Sequence, residues 1–328
     1  MILDVYEDLG FKVCGDLIYR NGIFFDLILQ VCHYCFIMNQ GIVRSKILRK
    51  PGEKLRIRSS GLSDTGLKRE INEDYYENDN SIGLYVVADG MGGHMAGDVA
   101  SKFAVNIIQK HFKHLITENV PLDELFGVSE SSLSLWGNYI LSSIKLANRI
   151  LYDMSQEYPR YKGMGTTIAV LALMNSAVIA ANVGDSKIYL IRGYVMEALS
   201  RSHTMMEEQL EMGLISSEEA RKSPLRHIIT RNLGSSDDVD IDVFEIETMA
   251  DDCFLLCTDG LTDLVTDKEM LEIIKQGGDQ EFLCRELISE ANKRGGIDNI
   301  TVSLISLNKI DAERQGIVKK FWYFFNKQ

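Results

Sequence analysis

The sequence predicts an α+β domain in which helices and antiparallel strands occur in separate blocks. Four short β-rich segments follow one another at residues 166–173, 177–183, 187–192 and 195–199, and only turn residues separate them. Such closely spaced strands favour antiparallel pairing, because parallel neighbours need long crossover connections. Two long segments with helical periodicity precede this block, and a further helix and a last strand follow it.

One strand and two amphipathic helices are predicted before the four-strand block. Residues 82–88, IGLYVVA, form a short apolar run that ends in Asp-Gly, which is typical of a buried strand. Asp98 is expected to cap the first helix, and the second helix is predicted at residues 135–152. Their apolar faces are predicted core. These faces comprise Phe103, Ala104, Ile107, Ile108, Phe112 and Leu115 in the first helix, and Trp136, Ile140, Ile144, Ala147 and Leu151 in the second.

The later elements alternate between helix and strand. Helix-forming and charged residues dominate positions 203–223. Strands are predicted at residues 239–247 and 253–258, a helix at 279–293, and a final strand at 300–307. No internal repeat or low-complexity tract is present, so these elements are expected to form one layered domain.

Composition excludes several classes of protein. The chain has 328 residues, 45% of them hydrophobic and 25% charged, which is an ordinary globular balance. Lys plus Arg is 35 and Asp plus Glu is 47, so the formal net charge is −12. A nucleic-acid partner is therefore not expected, because such proteins carry an excess of basic residues. The acidity is interpreted as a solvated surface, with cation ligands as the alternative.

Cysteine content and the lack of a targeting signal favour a cytoplasmic location. Six cysteines are present, and the one C-x-x-C pair, Cys32 and Cys35, has no second pair at zinc-site spacing. This usage is typical of a reduced compartment. The start of the chain is acidic and does not resemble a secretory signal. The most apolar window, residues 23–38, is too short and too polar for a spanning helix.

The chain is predicted to divide into three parts. Residues 1–58 are aromatic and cysteine-rich and then basic, whereas residues 59–308 show the regular pattern of a folded domain. Residues 309–328 form a basic-aromatic tail. Two interpretations of residues 1–58 are open. Either translation starts at Met38 and the first stretch is a mis-assigned start, or the segment regulates the domain or anchors it to a partner or membrane surface.

Several common catalytic motifs are absent from the sequence. It contains no G-x-x-x-x-G-K-[ST], no H-E-x-x-H and no G-x-S-x-G. The glycines at 90, 92, 93 and 97 do not spell G-x-G-x-x-G, because Met95 holds the last position. A nucleotide-cradling loop and a serine-hydrolase elbow are therefore poorly supported.

The chemistry is indicated by aspartates at strand ends, next to glycine or asparagine. Taken singly, each is typical of a turn or a helix cap. Taken together, carboxylates that close apolar strands need positive partners, and hard cations such as Mg²⁺ or Mn²⁺ satisfy that need. Glycine beside an aspartate also lets a backbone carbonyl approach an ion. The candidates are Asp74, Asp89, Asp185, Asp259, Asp263 and Asp298.

A pair of such cations would suit phosphoryl chemistry. Two ions about 4 Å apart hold a bridging water, lower its pKa and offset charge on a transferring phosphoryl group. The remaining requirement is a cationic side chain that grips phosphate oxygens, for which an arginine fork is well shaped. Arg69, five residues before Asp74, is the candidate. The alternative is that Arg69 is an ordinary surface arginine.

Six short segments carry a resemblance to a known family. They are SDTGLKREINED at 63–74, VADGMGGHMAG at 87–97, GMGTT at 163–167, NVGDS at 182–186, CTDGL at 257–261 and DN at 298–299. In this order, over about residues 60–308, they resemble the metal-dependent type-2C serine/threonine protein phosphatases. The form DGMGGH is similar to the bacterial branch of that family.

The resemblance implies a fold and an activity. The fold is a four-layer α-β-β-α sandwich of two antiparallel sheets flanked by helices. The activity is hydrolysis of phosphoserine and phosphothreonine in proteins by a metal-activated water at a binuclear Mn²⁺ or Mg²⁺ site. Partners implied by this activity are phosphorylated proteins and an opposing serine/threonine kinase, and the enzyme is expected to be a monomer. The alternative function is a catalytically silent phosphatase-like interaction module, which would need a broken set of metal ligands.

The resemblance also assigns roles to individual residues. Asp74, Asp89, Asp259 and Asp298 would ligate the two metals with the carbonyl of Gly90, and Arg69 would hold the substrate phosphate. Asp185 and Asp263 match positions that, with Asp259, bind a third metal in some members. His94 belongs to the motif, and both proton transfer and a structural hydrogen bond are open roles for it. Residues 203–234 are similar to the flap that borders the site in bacterial members, so they are expected to affect substrate choice.

Overall fold

The computed structural model describes residues 12–14, 17–20, 23–24, 55–92, 96–174, 177–216, 219, 223 and 225–309. The chain divides into two compact units, residues 1–46 and 47–328. In the first unit the described residues form a small antiparallel sheet of β1 (Lys12–Cys14), β2 (Leu17–Arg20) and β3 (Ile23–Phe24). Cys32, Cys35, Met38, His94 and the predicted tail beyond residue 309 lie outside the described residues.

The second unit contains the predicted domain. Its described strands are β4 (Leu55–Asp64), β5 (Asp74–Asp79), β6 (Leu84–Met91), β7 (Gly165–Thr166), β8 (Ile168–Met174), β9 (Ala177–Val183), β10 (Lys187–Arg192), β11 (Val195–Ala198), β12 (Asp242–Glu247), β13 (Cys253–Cys257) and β14 (Ile300–Lys309). Its described α-helices are α1 (Ala96–Glu118), α2 (Leu135–Glu157), α3 (Met205–Glu211), α4 (Asp259–Thr262), α5 (Asp267–Lys275) and α6 (Gln280–Lys293). Two 3₁₀ turns, Leu122–Glu124 and Pro159–Tyr161, flank α2.

The strands form two antiparallel sheets. The first sheet has the order β11-β10-β13-β14-β4, and the second has the order β12-β9-β8-β6-β5, with the short β7 paired to β6. Side chains alternate between the two faces of each strand, so each sheet buries one face against the other sheet and one against helices. In the first sheet, for example, Phe254 faces the inter-sheet core whereas Leu255 packs with Leu287 of α6.

The helices complete a four-layer sandwich, which confirms the predicted fold class. Helices α1 and α2 pack on each other and on the second sheet, and they bury stripes that include Ala104, Ile108 and Ile144. Helices α4, α5 and α6 cover the outer face of the first sheet. Helix α1 begins at Ala96, so Asp98 lies in its first turn and not at the cap, which corrects the sequence-based expectation.

Strand β4 positions the first part of the site. It pairs with β14 from Leu55↔Lys309 to Asp64↔Ile300, so its C-terminal end lies beside the start of β14. The strand begins at Leu55, four residues before residue 59, where the sequence pattern placed the start of the folded domain. Within the described ranges, no helix combines the length and the apolar character that crossing a bilayer requires.

Candidate metal centre

Two of the predicted aspartates face each other on neighbouring strands. Asp74, the first residue of β5, pairs directly with Asp89 near the end of β6. Directly opposed residues on an antiparallel pair project to the same side of the sheet, so the two carboxylates come together. Both strands end at the same edge of the sandwich, where the loops that carry the other aspartates also begin.

A chain of hydroxyl groups fixes the carboxylate of Asp74. Its Oδ2 accepts hydrogen bonds from Thr258 Oγ1 at 2.9 Å and from Thr301 Oγ1 at 2.7 Å. Thr301 Oγ1 is in turn 2.7 Å from Ser63 Oγ, which accepts a bond from Asn72 Nδ2 at 2.7 Å. These contacts occupy one carboxylate oxygen and leave Oδ1, which is buried, without a hydrogen-bond partner.

The first sheet supplies two more aspartates at the same edge. Asp259 opens α4 directly after β13, and Asp298 lies two residues before β14. Because Cys257 pairs with Val302, the end of β13 and the start of β14 are adjacent. Asp259 Oδ1 is buried and has no hydrogen-bond partner, like Asp74 Oδ1.

Burial and mutual repulsion make the cluster a candidate cation site. Burial raises the pKa of Asp74 to about 7, against the lowering effect of the two threonine hydroxyls. Burial, followed by the charges of Asp74 and Asp259, raises the pKa of Asp89 well above its ordinary value. The pKa of Asp259 is likewise raised well above its usual range, first by burial and then by Asp185. Among the described basic side chains, none forms an ion pair with Asp74, Asp89 or Asp259.

These residues fit divalent cations with oxygen ligands. The buried oxygens of Asp74, Asp185 and Asp259 that lack partners are the kind of donor that Mg²⁺ and Mn²⁺ take. A bound cation would offset both the burial and the repulsion that raise the pKa values of these carboxylates. The structure thus brings together Asp74, Asp89, Asp259 and Asp298, as the sequence predicted, and their role as ligands remains a prediction.

Gly90 lies where the backbone is crowded. Its N–H donates to the carbonyl oxygen of Glu73 at 3.1 Å. A methyl group at this position would overlap the carbonyl oxygen of Gly97 and lie 2.6 Å from that of Glu73. The preceding carbonyl, of Asp89, accepts bonds from Thr167 N and Thr166 Oγ1, both at 2.8 Å. Only glycine therefore lets this segment sit as close to α1 as it does.

Arg69 lies at the rim of the cluster. Its Nη2 donates to Asp298 Oδ2 at 2.8 Å, and this bond raises the pKa of the guanidinium. The Arg69 side chain is 51% exposed, so the guanidinium is accessible to an anion. Asp298 Oδ1 accepts from the N–H of Asn299 at 2.8 Å. The ion pair thus holds Arg69 next to the carboxylates while leaving it open to solvent.

Asn299 fastens the loop that carries Arg69, a role that sequence reasoning missed. Its Oδ1 accepts from the N–H of Glu73 at 2.8 Å, and its Nδ2 donates to the carbonyl oxygens of Thr65 and Ile71, both at 3.0 Å. The Asp-Asn pair in the sequence was the available signal, since asparagine beside a buried strand commonly bonds backbone groups.

Asp185 and Asp263 form a second group with Asp259. Asp185 lies in the turn between β9 and β10 and is 8% exposed, and its Oδ1 has no partner. Burial, supported by the charge of Asp263, raises the pKa of Asp185 to about 6. His227, which sequence reasoning also missed, lies with Nδ1 3.4 Å from Asp263 Oδ2. His94 lies outside the described residues, so both of its predicted roles remain open.

Comparison with known proteins identifies a family and a set of relatives. The family model described as protein phosphatase 2C matches residues 68–281. The serine/threonine phosphatase stp of Listeria monocytogenes serotype 4b is 36% identical over 246 residues, which cover 74% of this chain and 93% of that protein. The crystal structure of the serine/threonine phosphatase Stp1 from Staphylococcus aureus has a TM-score of 0.67 and 32% identity, and the match covers 81% of this chain and 98% of that one. The catalytic domain of the phosphatase PstP in complex with two manganese ions matches with a TM-score of 0.65 and 29% identity, over 78% of this chain and all of that one.

Proposed function

The chain belongs to the protein phosphatase 2C family of metal-dependent serine/threonine phosphatases, and we propose that it acts through a binuclear Mn²⁺ or Mg²⁺ centre. The observation that carries this proposal is the group of aspartates that meet at one edge of the two sheets, in which buried oxygens of Asp74, Asp185 and Asp259 have no protein donor. Asp74, Asp89, Asp259 and Asp298, with the carbonyl of Gly90, would hold the two ions.

The residues around the centre have different roles in phosphoryl transfer. Two divalent cations at such a site lower the pKa of a water that they share and offset the charge of the phosphoryl group. Arg69 binds the substrate phosphate, because its guanidinium is exposed and is oriented by Asp298. Thr258 and Thr301 hold Oδ2 of Asp74, which leaves the buried Oδ1 available as a ligand that would hold a cation. Asn299 keeps the loop of Arg69 in place.

The choice of ion follows from the donor atoms. The proposed ligands of the binuclear centre are all oxygen atoms, which favour hard cations over zinc. A related phosphatase structure contains two manganese ions, which supports Mn²⁺ as the first ion to test.

Substrates and context complete the proposal. The enzyme removes phosphate from phosphoserine and phosphothreonine in proteins and opposes a serine/threonine kinase. Residues 59–308 form the catalytic domain. Within it, residues 203–234 form a flap that affects which substrates the enzyme accepts. Four further points remain predictions. The enzyme is expected to be a monomer in the cytoplasm. Residues 1–58 are expected to regulate the domain or to anchor it, for example to a membrane, and residues 309–328 are expected to form a separate tail.

Hydrolysis of a phosphothreonine peptide by the purified full-length chain tests the proposal. Turnover should need Mn²⁺, stop with EDTA, and fall by about two orders of magnitude or more in Asp89→Asn, which removes a charge from the centre. Asp123→Asn, an exposed aspartate far from the cluster in sequence, is the matched control and should keep full activity. Full turnover in Asp89→Asn would overturn the mechanism. Absence of both turnover and Mn²⁺ binding by calorimetry would favour the silent interaction module.

A further inference from the structure

The C-terminal part of the flap is held in place by backbone contacts. Thr204 forms a β-bridge with Ile229, and the N–H of Met205 donates to the carbonyl oxygen of Ile228 at 2.9 Å. The N–H of Thr230 donates to the carbonyl oxygen of His203 at 2.9 Å. His227 comes directly before these contacts, so its position is fixed by the fold of the flap.

His227 lies against the second group of aspartates. Its Nδ1 is 3.4 Å from Asp263 Oδ2, and one ligand atom from each of His227, Asp259 and Asp263 lies within 4.8 Å of the others. Metal–ligand bonds of about 2.0–2.4 Å place two ligands of one cation no more than about 4.8 Å apart. The three side chains are therefore close enough to share an ion.

A second observation points to a cation at the same place. Asp185 is 8% exposed, and its buried Oδ1 has no hydrogen-bond partner. It lies near the group formed by His227, Asp259 and Asp263, because the charges of Asp263 and His227 both act on its carboxylate. Asp259 Oδ1 is likewise buried and without a partner. Such oxygens are costly to bury unless a positive group satisfies them.

We propose that His227 is a nitrogen ligand, supplied by the flap, of a cation that Asp259 and Asp263 also hold. This inference rests on the proposed metal-dependent function and adds to it a ligand that links the flap to the core. A cation bound there ties residues 203–234 to the sheet edge. Imidazole among carboxylates also favours Mn²⁺ over Mg²⁺ at this position, whereas the binuclear centre has only oxygen ligands.

The neighbouring Arg226 opposes this ligation. Its Nε donates to His227 Nε2 at 2.7 Å, so the proton of the neutral imidazole lies on Nδ1, facing Asp263. Ligation through Nδ1 requires that the proton move to Nε2, which then no longer accepts from Arg226. The guanidinium must turn away, and its positive charge adds to the opposition. Removal of Arg226 should therefore strengthen cation binding, whereas removal of His227 should weaken it.

The test is a Mn²⁺ titration of the full-length chain, followed by electron paramagnetic resonance, with pulsed detection of ¹⁴N coupling. Wild type should bind two ions tightly and one more weakly, and the weaker ion should show imidazole ¹⁴N modulation. In His227→Gln its affinity should fall about ten-fold or more, since changes even to outer partners of metal ligands cost that much. In Arg226→Gln its affinity should rise about two- to five-fold, the size of one exposed charge interaction.

Ile228→Ala, an exposed neighbour in the flap, is the matched control and should leave both classes of ion unchanged. Three results would each overturn the assignment of His227. The ¹⁴N modulation could persist in His227→Gln, the weakly bound ion could keep its wild-type affinity in that variant, or wild type could bind no weaker ion. If wild type did not bind the two tight ions, the proposed function itself would be refuted. The failure of the His227 assignment and the failure of the proposed function therefore give different results.

Discussion

The hydroxyl groups around Asp74 give a sharp test of how the centre is organised. Thr301→Val keeps the shape of a fully buried side chain but removes the 2.7 Å hydrogen bond to Asp74 Oδ2. Thr258 then remains as the second hydroxyl donor to that oxygen. The carboxylate becomes freer to rotate, so Oδ1 would be a less well fixed ligand for a cation.

The magnitude follows from the type of hydrogen bond. A bond to a charged group contributes about 1.5–3 kcal/mol. At about 1.4 kcal/mol for each ten-fold change, the Mn²⁺ affinity of the tight pair should fall by about 10- to 150-fold. The hydroxyl also lowers the pKa of Asp74, which burial raises to about 7, so its loss raises that pKa further. Protons then compete better with metal, and the loss of affinity should be larger at pH 6 than at pH 8.

Calorimetric titration with Mn²⁺ at both pH values measures this effect. Ser303→Ala is the matched control, because Ser303 is a buried hydroxyl on the same strand whose 2.7 Å partner is Asn78 and not a carboxylate. It should lower the free energy of unfolding by about 1 kcal/mol, as expected for one hydrogen bond, and leave Mn²⁺ affinity unchanged. A Thr301→Val affinity within two-fold of wild type, or an equal loss in Ser303→Ala, would refute the reasoning.

Three further predictions concern other parts of the domain. Burial lowers the pKa of His111, which contacts Ser143 between α1 and α2, to about 4, below the 6.5 of the unfolded chain. The neutral ring thus contributes about 3 kcal/mol of stability above pH 6.5 that is lost as pH falls toward 4. Denaturant unfolding of wild type and His111→Gln across that range should give a free energy of unfolding that decreases by about this much more in wild type than in the variant, and an equal pH dependence in both would contradict the burial of a neutral ring. Gly90→Ala brings a methyl group within 2.6 Å of the carbonyl oxygen of Glu73. Calorimetry should therefore show a melting temperature several degrees lower and weaker Mn²⁺ binding than in wild type. An unchanged melting temperature and Mn²⁺ affinity would contradict the crowding. Arg69→Ala should raise KM for a phosphothreonine peptide more than it changes kcat, and an unchanged KM would count against phosphate binding by Arg69.

The sequence predicted those elements whose local pattern is strong. Strands β9 and β10 were predicted to the residue, because turn residues bound each apolar run. Strand β5, DYYEND, was missed because a polar edge strand lacks the alternation that marks a half-buried one. Helix α4 is a single turn of four residues, too short for helical periodicity to show. Asp98 was expected at the cap but lies in the first turn, and acidic residues favour both positions of a helix.

The site was predictable where chemistry and local context coincide. Asp89, Asp259 and Asp298 each lie beside glycine or asparagine next to an apolar strand, and Asp74 lies two residues after Asn72, so this context can be read without knowing the fold. The hydroxyl chain cannot be read in this way, because Ser63 and Thr301 are 238 positions apart in sequence and meet only when β4 pairs with β14. His227 was missed for the same reason. A lone histidine in a charged flap has no local signal, and only the fold of residues 203–234 brings it to Asp263.

The arrangement of carboxylates also bears on why a silent interaction module is a poor account of this chain. Each sheet supplies two aspartates to one edge, and their shared burial raises the pKa values of Asp74, Asp89 and Asp259. Without a cation the folded state therefore loses stability as pH rises from about 4 to 7, because the unfolded chain releases these protons more readily. An interaction module would gain nothing from this loss of stability. Replacing any one of these carboxylates with a neutral side chain would remove part of the loss. A metal-dependent enzyme offsets the cost by mass action, because cations that bind only the folded state stabilise it in proportion to the logarithm of their concentration.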